Sequence, residues 1–186
     1  MTVAKVLAVD DRPENLIALE AILQGLPVEI ASVTSGDEAL KRLLSEDYAV
    51  ILLDAQMPGM DGFETASHIK RRERTRHIPI VFLTAANYDP HLAFRGYQLG
   101  AVDYLTKPLD PWVLRSKVQV FADLWKLNTE LAERAAECAV LRSAVTDALA
   151  LLNGADTSAD RAELLVLARN RLAAVNSPVP AKPRGR

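Results

Sequence analysis

A parallel, doubly wound α/β domain with five strands is the fold class this sequence predicts, and three observations predict it. Val50-Ile51-Leu52-Leu53 is an unbroken run of β-formers that ends at Asp54, with Pro58, Gly59 and Gly62 close behind. Such a run reads as a strand covered on both faces, which belongs in a parallel sheet. Five short runs alternate with segments of helical apolar spacing, the order that builds such a sheet. Polar residues stand where the runs end, and open α/β sheets bind ligands outside the carboxyl ends of their strands.

Taken in order, Lys5 to Asp10 reads as a buried strand closed by two acids, Asp10 and Asp11. Pro13 suits a first helical position, and Leu16, Leu19, Ile22 and Leu23 give Asn15 to Leu23 an apolar face. Gly25 and Pro27 stop that helix, and Val28 to Val33 is the second strand. Ser35 is an N-cap with Glu38 as its capping-box partner, for a helix to about Ser45. Ala49 to Asp54 is the third strand, Gly62 to about Arg72 a helix, and Pro79 to Thr84 the fourth strand. A helix from His91 to Leu99 is stopped by Gly100, and Tyr104 to Lys107 is the fifth strand, ended by Pro108. Periodicity leaves the strand order open, and no internal repeat points to a solenoid or propeller.

The 186 residues hold one ordinary domain with an appendage, or two small domains. A net charge of −2 gives no bulk attraction to nucleic acid or to an anionic membrane. The single cysteine, Cys138, excludes an intrachain disulfide and suits a reducing cytosol. The N-terminal stretch turns acidic too early for a signal peptide, and no apolar run reaches the roughly 18 residues of a transmembrane helix. The expected location is the cytoplasm, with no membrane partner.

The strand ends carry the chemistry. Asp10 and Asp11 follow the first strand, Asp54 ends the third, Thr84 the fourth and Lys107 the fifth. Taken singly, a strand-end acid is often a helix cap and a lysine before proline a loop charge. Together they bring three carboxylates, a hydroxyl and an ammonium to one sheet edge. Clustered acids raise one another's pKa unless a cation compensates, and an all-oxygen set with room for water suits Mg²⁺ rather than zinc. A carboxylate in that setting can act as a nucleophile towards phosphorus, with Lys107 and Thr84 serving the equatorial oxygens.

These residues resemble the receiver domain of bacterial two-component response regulators. The resemblance rests on Asp10-Asp11, on Asp54 with Met57-Pro58-Gly59-Met60-Asp61-Gly62, on Thr84-Ala85 and on Gly100 to Pro108. It covers about residues 3 to 123 and implies the strand order 2-1-3-4-5. It further implies Asp54 as phosphoacceptor and Asp11 as a direct Mg²⁺ ligand. Asp10 would act mainly through water, and the Gln56 backbone carbonyl as a third ligand. Thr84 and Tyr104 would be the switch pair, and Lys107 the phosphoryl partner, with a cis bond to Pro108. The implied donors are a sensor histidine kinase, or hybrid kinase, and small acyl phosphates. The Gln56 side chain is expected to tune hydrolysis. The chain then reads as a phosphoacceptor switch that assists its own phosphorylation and dephosphorylation, not as an enzyme acting on an outside substrate.

Past Pro111 the helical pattern does not stop. Trp112 to Asn153 contains neither Gly nor Pro, a helix of about 42 residues and 63 Å. Leu114, Val118 and Phe121 would cover the sheet. Beyond them Val120, Leu124, Leu127, Leu131, Arg134, Cys138, Leu141, Val145, Ala148 and Leu152 alternate +4 and +3, a coiled-coil seam with one defect at Arg134. An antiparallel hairpin within the chain is the competing reading. The expected organisation is a receiver at 1–123, a coiled-coil extension at 124–153, a short helical segment at 154–175 and a disordered tail at 176–186.

Lys70, Arg71, Arg72, Arg74 and Arg76 read as a solvated helix end, and the scattered His68, His77 and His91 as surface residues. The leading function is a phosphorylation-controlled interaction protein that forms a homodimer through the long helix and acts on an unknown downstream protein. The alternative is a nucleic-acid regulator, since two helices after a coiled coil resemble the RNA-binding ANTAR output. Its basic, aromatic third helix is missing here. A phosphatase sharing the Asp nucleophile would need a second acid where Gln56 stands.

Overall fold

The computed structural model of the protein describes residues 3–85, 102–153, 165–166 and 169–170, without the side chains of 148 and 151–153. The expected His91–Leu99 helix, most of the terminal helical segment, the tail, His91 and the side chain of Leu152 lie outside the described residues. The chain divides into two units, Met1–Asn128 and Thr129–Arg186.

In the first unit, five strands run β1 (Ala4–Val9), β2 (Val28–Val33), β3 (Val50–Asp54), β4 (Ile80–Ala85) and β5 (Asp103–Lys107). They pair in parallel in the order β2-β1-β3-β4-β5. Because side chains alternate across a strand, each strand feeds two cores. Leu7, Val9, Ile51, Leu53, Ile80 and Phe82 face helices α2 (Gly36–Arg42) and α3 (Gly62–Arg71) through Ala39, Leu40, Ala66 and Ile69. Val6, Ala8, Val50, Leu52, Val81 and Leu83 face α1 (Pro13–Leu23) and the start of α4 (Pro111–Asn153) through Leu16, Leu19, Leu23, Leu114 and Val118. All five residues of β3 are buried, which explains the unbroken apolar run.

Local chemistry sets the helix ends. Pro13 starts α1 as expected, and Gly25 follows its end at φ +85. Ser35 Oγ accepts from the Glu38 amide at 3.2 Å, but the Glu38 carboxylate reaches the Thr34 amide, so the capping box closes one residue early. Helix α2 ends at Arg42 rather than near Ser45. There the amides of Leu44 and Ser45 turn back to the carbonyls of Lys41 and Arg42, a tighter three-residue pattern. Asp61 caps α3 by accepting from the Glu64 amide at 2.7 Å. The other side chain of note is Arg115 on α4, whose guanidinium donates to the Ile22 and Gln24 carbonyls at the end of α1.

The basic run at the end of α3 is only partly the solvated end that the sequence suggests. Arg71, Arg72 and Arg76 are exposed, but Lys70 is half-buried and donates to the carbonyls of Arg76 and Ile78 at 3.0 and 2.7 Å. Burial lowers the Lys70 pKa. Arg74 binds the Leu44 carbonyl and Asp47. These cations fasten the loop before β4, so that part of the run is structural. His77 is exposed and His68 half-buried. No helix among the described residues is long and apolar enough to cross a membrane.

Candidate functional site

β1 and β3 are adjacent, so the residues leaving them converge. Asp10, Asp11 and Asp54 each offer a carboxylate oxygen, and these atoms lie within 4.8 Å of one another. Asp10 is fully buried, Asp54 is 7% exposed and Asp11 is half-exposed. Lys107, from the end of β5, inserts its ammonium between two of them, 2.7 Å from Asp10 Oδ2 and 3.0 Å from Asp54 Oδ2. The Lys107–Pro108 bond is cis.

The two buried acids are held differently. Asp10 Oδ1 accepts from the Arg12 amide at 3.0 Å and from Asn15 Nδ2 at 2.8 Å, while Lys107 takes Oδ2. Asp54 has a weak contact from the Gln56 amide to Oδ1, at 3.4 Å, besides Lys107. Burial raises the Asp54 pKa above the usual carboxylate range, against the pull of Lys107, and the nearby Asp10 charge adds to the rise. Burial also opposes the charge of Lys107, but its bonds to Asp10 and Asp54 outweigh this and leave its pKa raised. Asp54, more weakly held than Asp10, is the group with bonding capacity to spare.

The donor set is all oxygen, carries three acids against one lysine, and keeps Asp11 open to solvent. That fits a hard cation that retains water, such as Mg²⁺, better than a soft or fully enclosed one. Asp11 has no hydrogen bond or ion pair among the described residues, which leaves its carboxylate available. Asp10, with both oxygens engaged, is placed to orient and to supply charge.

Close approach shapes the loop after Asp54. Gly62 at the start of α3 lies where an added Cβ would fall 2.1 Å from the Asp54 carbonyl oxygen and 2.8 Å from Ala55 Cα. Its amide donates to the Ala55 carbonyl at 3.1 Å. Glycine therefore lets α3 begin directly against the strand end that bears Asp54.

Thr84 is 3% exposed on β4, one residue beyond the Leu83 that pairs with Asp54 in register. Tyr104 pairs with Phe82 in register and stacks on it, ring centroids 5.4 Å apart, and Phe82 stacks on Phe63 at 4.7 Å. The structure thus gathers Asp10, Asp11, Asp54 and Lys107 into one cluster, with Thr84 on the same edge and Tyr104 two positions below it. Asn15 was visible in the sequence only as part of a helix. Its role in holding Asp10 comes from the five-residue spacing across the turn, which apolar periodicity does not report.

Along α4, Val120, Leu124, Leu127, Leu131, Leu141 and Val145 are between 44% and 62% exposed, and Cys138 is exposed too.

Comparison with known proteins agrees with this geometry. The sequence profile of the response regulator receiver domain matches residues 6–119. Response regulator PleD of Caulobacter vibrioides is 37% identical over 133 residues, 72% of this chain and 29% of that protein. A probable cyclic di-GMP phosphodiesterase of Vibrio cholerae is 35% identical over 160 residues, 79% of this chain and 35% of that protein. Sensor histidine kinase GacS of Pseudomonas protegens is 37% identical over 139 residues, 72% of this chain and 15% of that protein. The chain thus spans about a third of these relatives or less. Among solved structures, a CheY-like receiver domain protein from Methanospirillum hungatei is 36% identical with TM-score 0.58, covering 66% of this chain and 97% of that one. With the strand order, the acidic cluster and the profile in agreement, the chain belongs to the response regulator receiver domain family.

Proposed function

We propose that this chain is a phosphorylation-dependent switch in which Asp54 accepts a phosphoryl group. Receiver domains act in two-component signalling, where phosphorylation and Mg²⁺ are general features and sensor histidine kinases are the donors. The observation that carries the assignment is the unequal treatment of the acids. Asp10 has both oxygens firmly held, whereas Asp54, 7% exposed, has only a weak amide contact besides the Lys107 ammonium.

An Asp54 carboxylate oxygen forms the new O–P bond as the donor's P–N or P–O bond breaks, its electron pair leaving with the donor. Lys107 turns from Asp54 to the phosphoryl oxygens, and the Thr84 hydroxyl offers a further donor. Asp11, Asp54 and the Gln56 carbonyl would hold Mg²⁺, with Asp10 reaching it through water. When bound, the ion neutralises the acids and polarises the phosphoryl group. Thr84 and Tyr104 then report the charge on Asp54. The exposed seam residues Leu124, Leu127, Leu131, Cys138, Leu141 and Val145 make α4 the output, through a homodimer that a downstream protein recognises.

Incubation with acetyl phosphate and Mg²⁺ tests the assignment. Mass spectrometry should find one phosphoryl group on Asp54, lost in Asp54→Asn, and uptake unchanged by that substitution would refute it.

A further inference from the structure

Helix α4 carries two apolar faces within the first unit. Leu114, Val118 and Ala122 are buried against the sheet. On another side, Val113, Val120, Leu124 and Leu127 are 41% to 56% exposed. The same spacing continues in the second unit through Leu131, Cys138, Leu141 and Val145, all of them exposed. A sustained exposed stripe of this kind marks an interaction surface.

The charges beside the stripe choose its partner. With Leu124 at heptad position a, Asp123, Glu130 and Glu137 occupy g, while Asn128, Ala135 and Arg142 occupy e. Antiparallel pairing of two copies sets g against g and brings acid to acid. Parallel, in-register pairing sets each g residue against the e residue of the next heptad on the partner. Asp123 then meets Asn128, Glu130 meets Ala135 and Glu137 meets Arg142, so these flanking contacts hold no like-charge pair and one attractive one. Arg134 at d meets its own copy. Its stem can carry the guanidinium out to water, beside Glu130 one turn earlier on the same helix. Such a polar layer lowers stability and fixes register.

We infer that α4 pairs with α4 of a second copy of this chain as a parallel, in-register two-stranded coil. Its seam begins at Val120 within the receiver unit and runs to Val145. This rests on the dimer reading above and adds direction, register and starting point. The starting point matters because Lys117, one turn before Val120, pairs with Asp103 on β5. The other carboxylate oxygen of Asp103 accepts from the Tyr104 amide at 2.8 Å. The strand that carries Tyr104 is therefore tied to the turn that opens the seam.

The 186-residue chain supplies the test. Light scattering should give twice the 20.4 kDa chain mass. Diamide should join Cys138 to Cys138 in a dimer resolved on a non-reducing gel, and Leu131→Cys in a Cys138→Ser background should link as well. Val120→Glu, at an exposed position, should weaken the dimer about tenfold or more. Glu137→Lys and Arg142→Glu should each raise the dimer Kd about fivefold, and the double reversal should restore it. A chain that stays monomeric at tens of micromolar overturns both the dimer and this arrangement. A dimer that forms neither cross-link, or ignores Val120→Glu, overturns the arrangement and leaves dimerisation standing.

Discussion

Lys107 donates to Asp10 at 2.7 Å, and Asp10 is fully buried, so this ion pair lies largely out of reach of water. Removing one partner of such a pair leaves an uncompensated buried charge. Lys107→Ala should lower stability by about 2 kcal/mol, below the full cost of an orphaned ion because Asn15 and the Arg12 amide still serve Asp10. Adding Asp10→Asn should recover much of the loss. Urea unfolding of the two single variants and the double variant checks the coupling.

Asp54→Asn should do two things. It abolishes phosphoryl uptake, and it stabilises the metal-free chain at pH 7 by about 1 kcal/mol, since it removes one of three clustered acids. The sign follows from the raised Asp54 pKa. The folded state binds this proton more tightly than the unfolded one, so neutral pH works against folding and the penalty fades as pH falls through the folded pKa. The advantage of Asp54→Asn should therefore shrink on acidification, as thermal melts at a series of pH values would show. Mg²⁺ affinity should drop over the same range, as protons compete for Asp54.

Gly62→Ala should cost about 3 kcal/mol, because its methyl would press on backbone atoms that cannot swing away. Gly59 provides the contrast. It has φ +75 and open space around it, so Gly59→Ala meets only conformational strain, about 1 kcal/mol. Equal losses in chemical denaturation would refute the crowding argument.

Arg115→Ala should lower stability by about 1.5 kcal/mol, since it unbinds two carbonyls at the end of α1. Hydrogen exchange should quicken in the last turn of α1 and leave β3 protected.

The parts legible in the sequence were those governed by local pattern. The approach to Asp54 was readable because a continuous apolar run means burial on both faces. The cluster was readable because strand ends in this architecture share an edge, and the registers of β3, β4 and β5 bring Asp54, Thr84 and Lys107 there. The hold of Asn15 on Asp10 and of Arg115 on α1 depends on side chains reaching between elements, which no periodicity encodes. Lys70 shows the same limit, because a lysine in a basic run looks solvated until its stem is seen under the loop.

The rings of Phe63, Phe82 and Tyr104 form a column from the first turn of α3 to β5. Phe63 directly follows Gly62, the residue seated on the Asp54 carbonyl. The neighbourhood of Asp54 is thus joined to β5 by two links of different physical kind. One is electrostatic, through Lys107, and the other is a strut of stacked rings without charge. Salt screens the first where it meets solvent and leaves the second intact, so ionic strength is a dial that can separate their shares in carrying a signal.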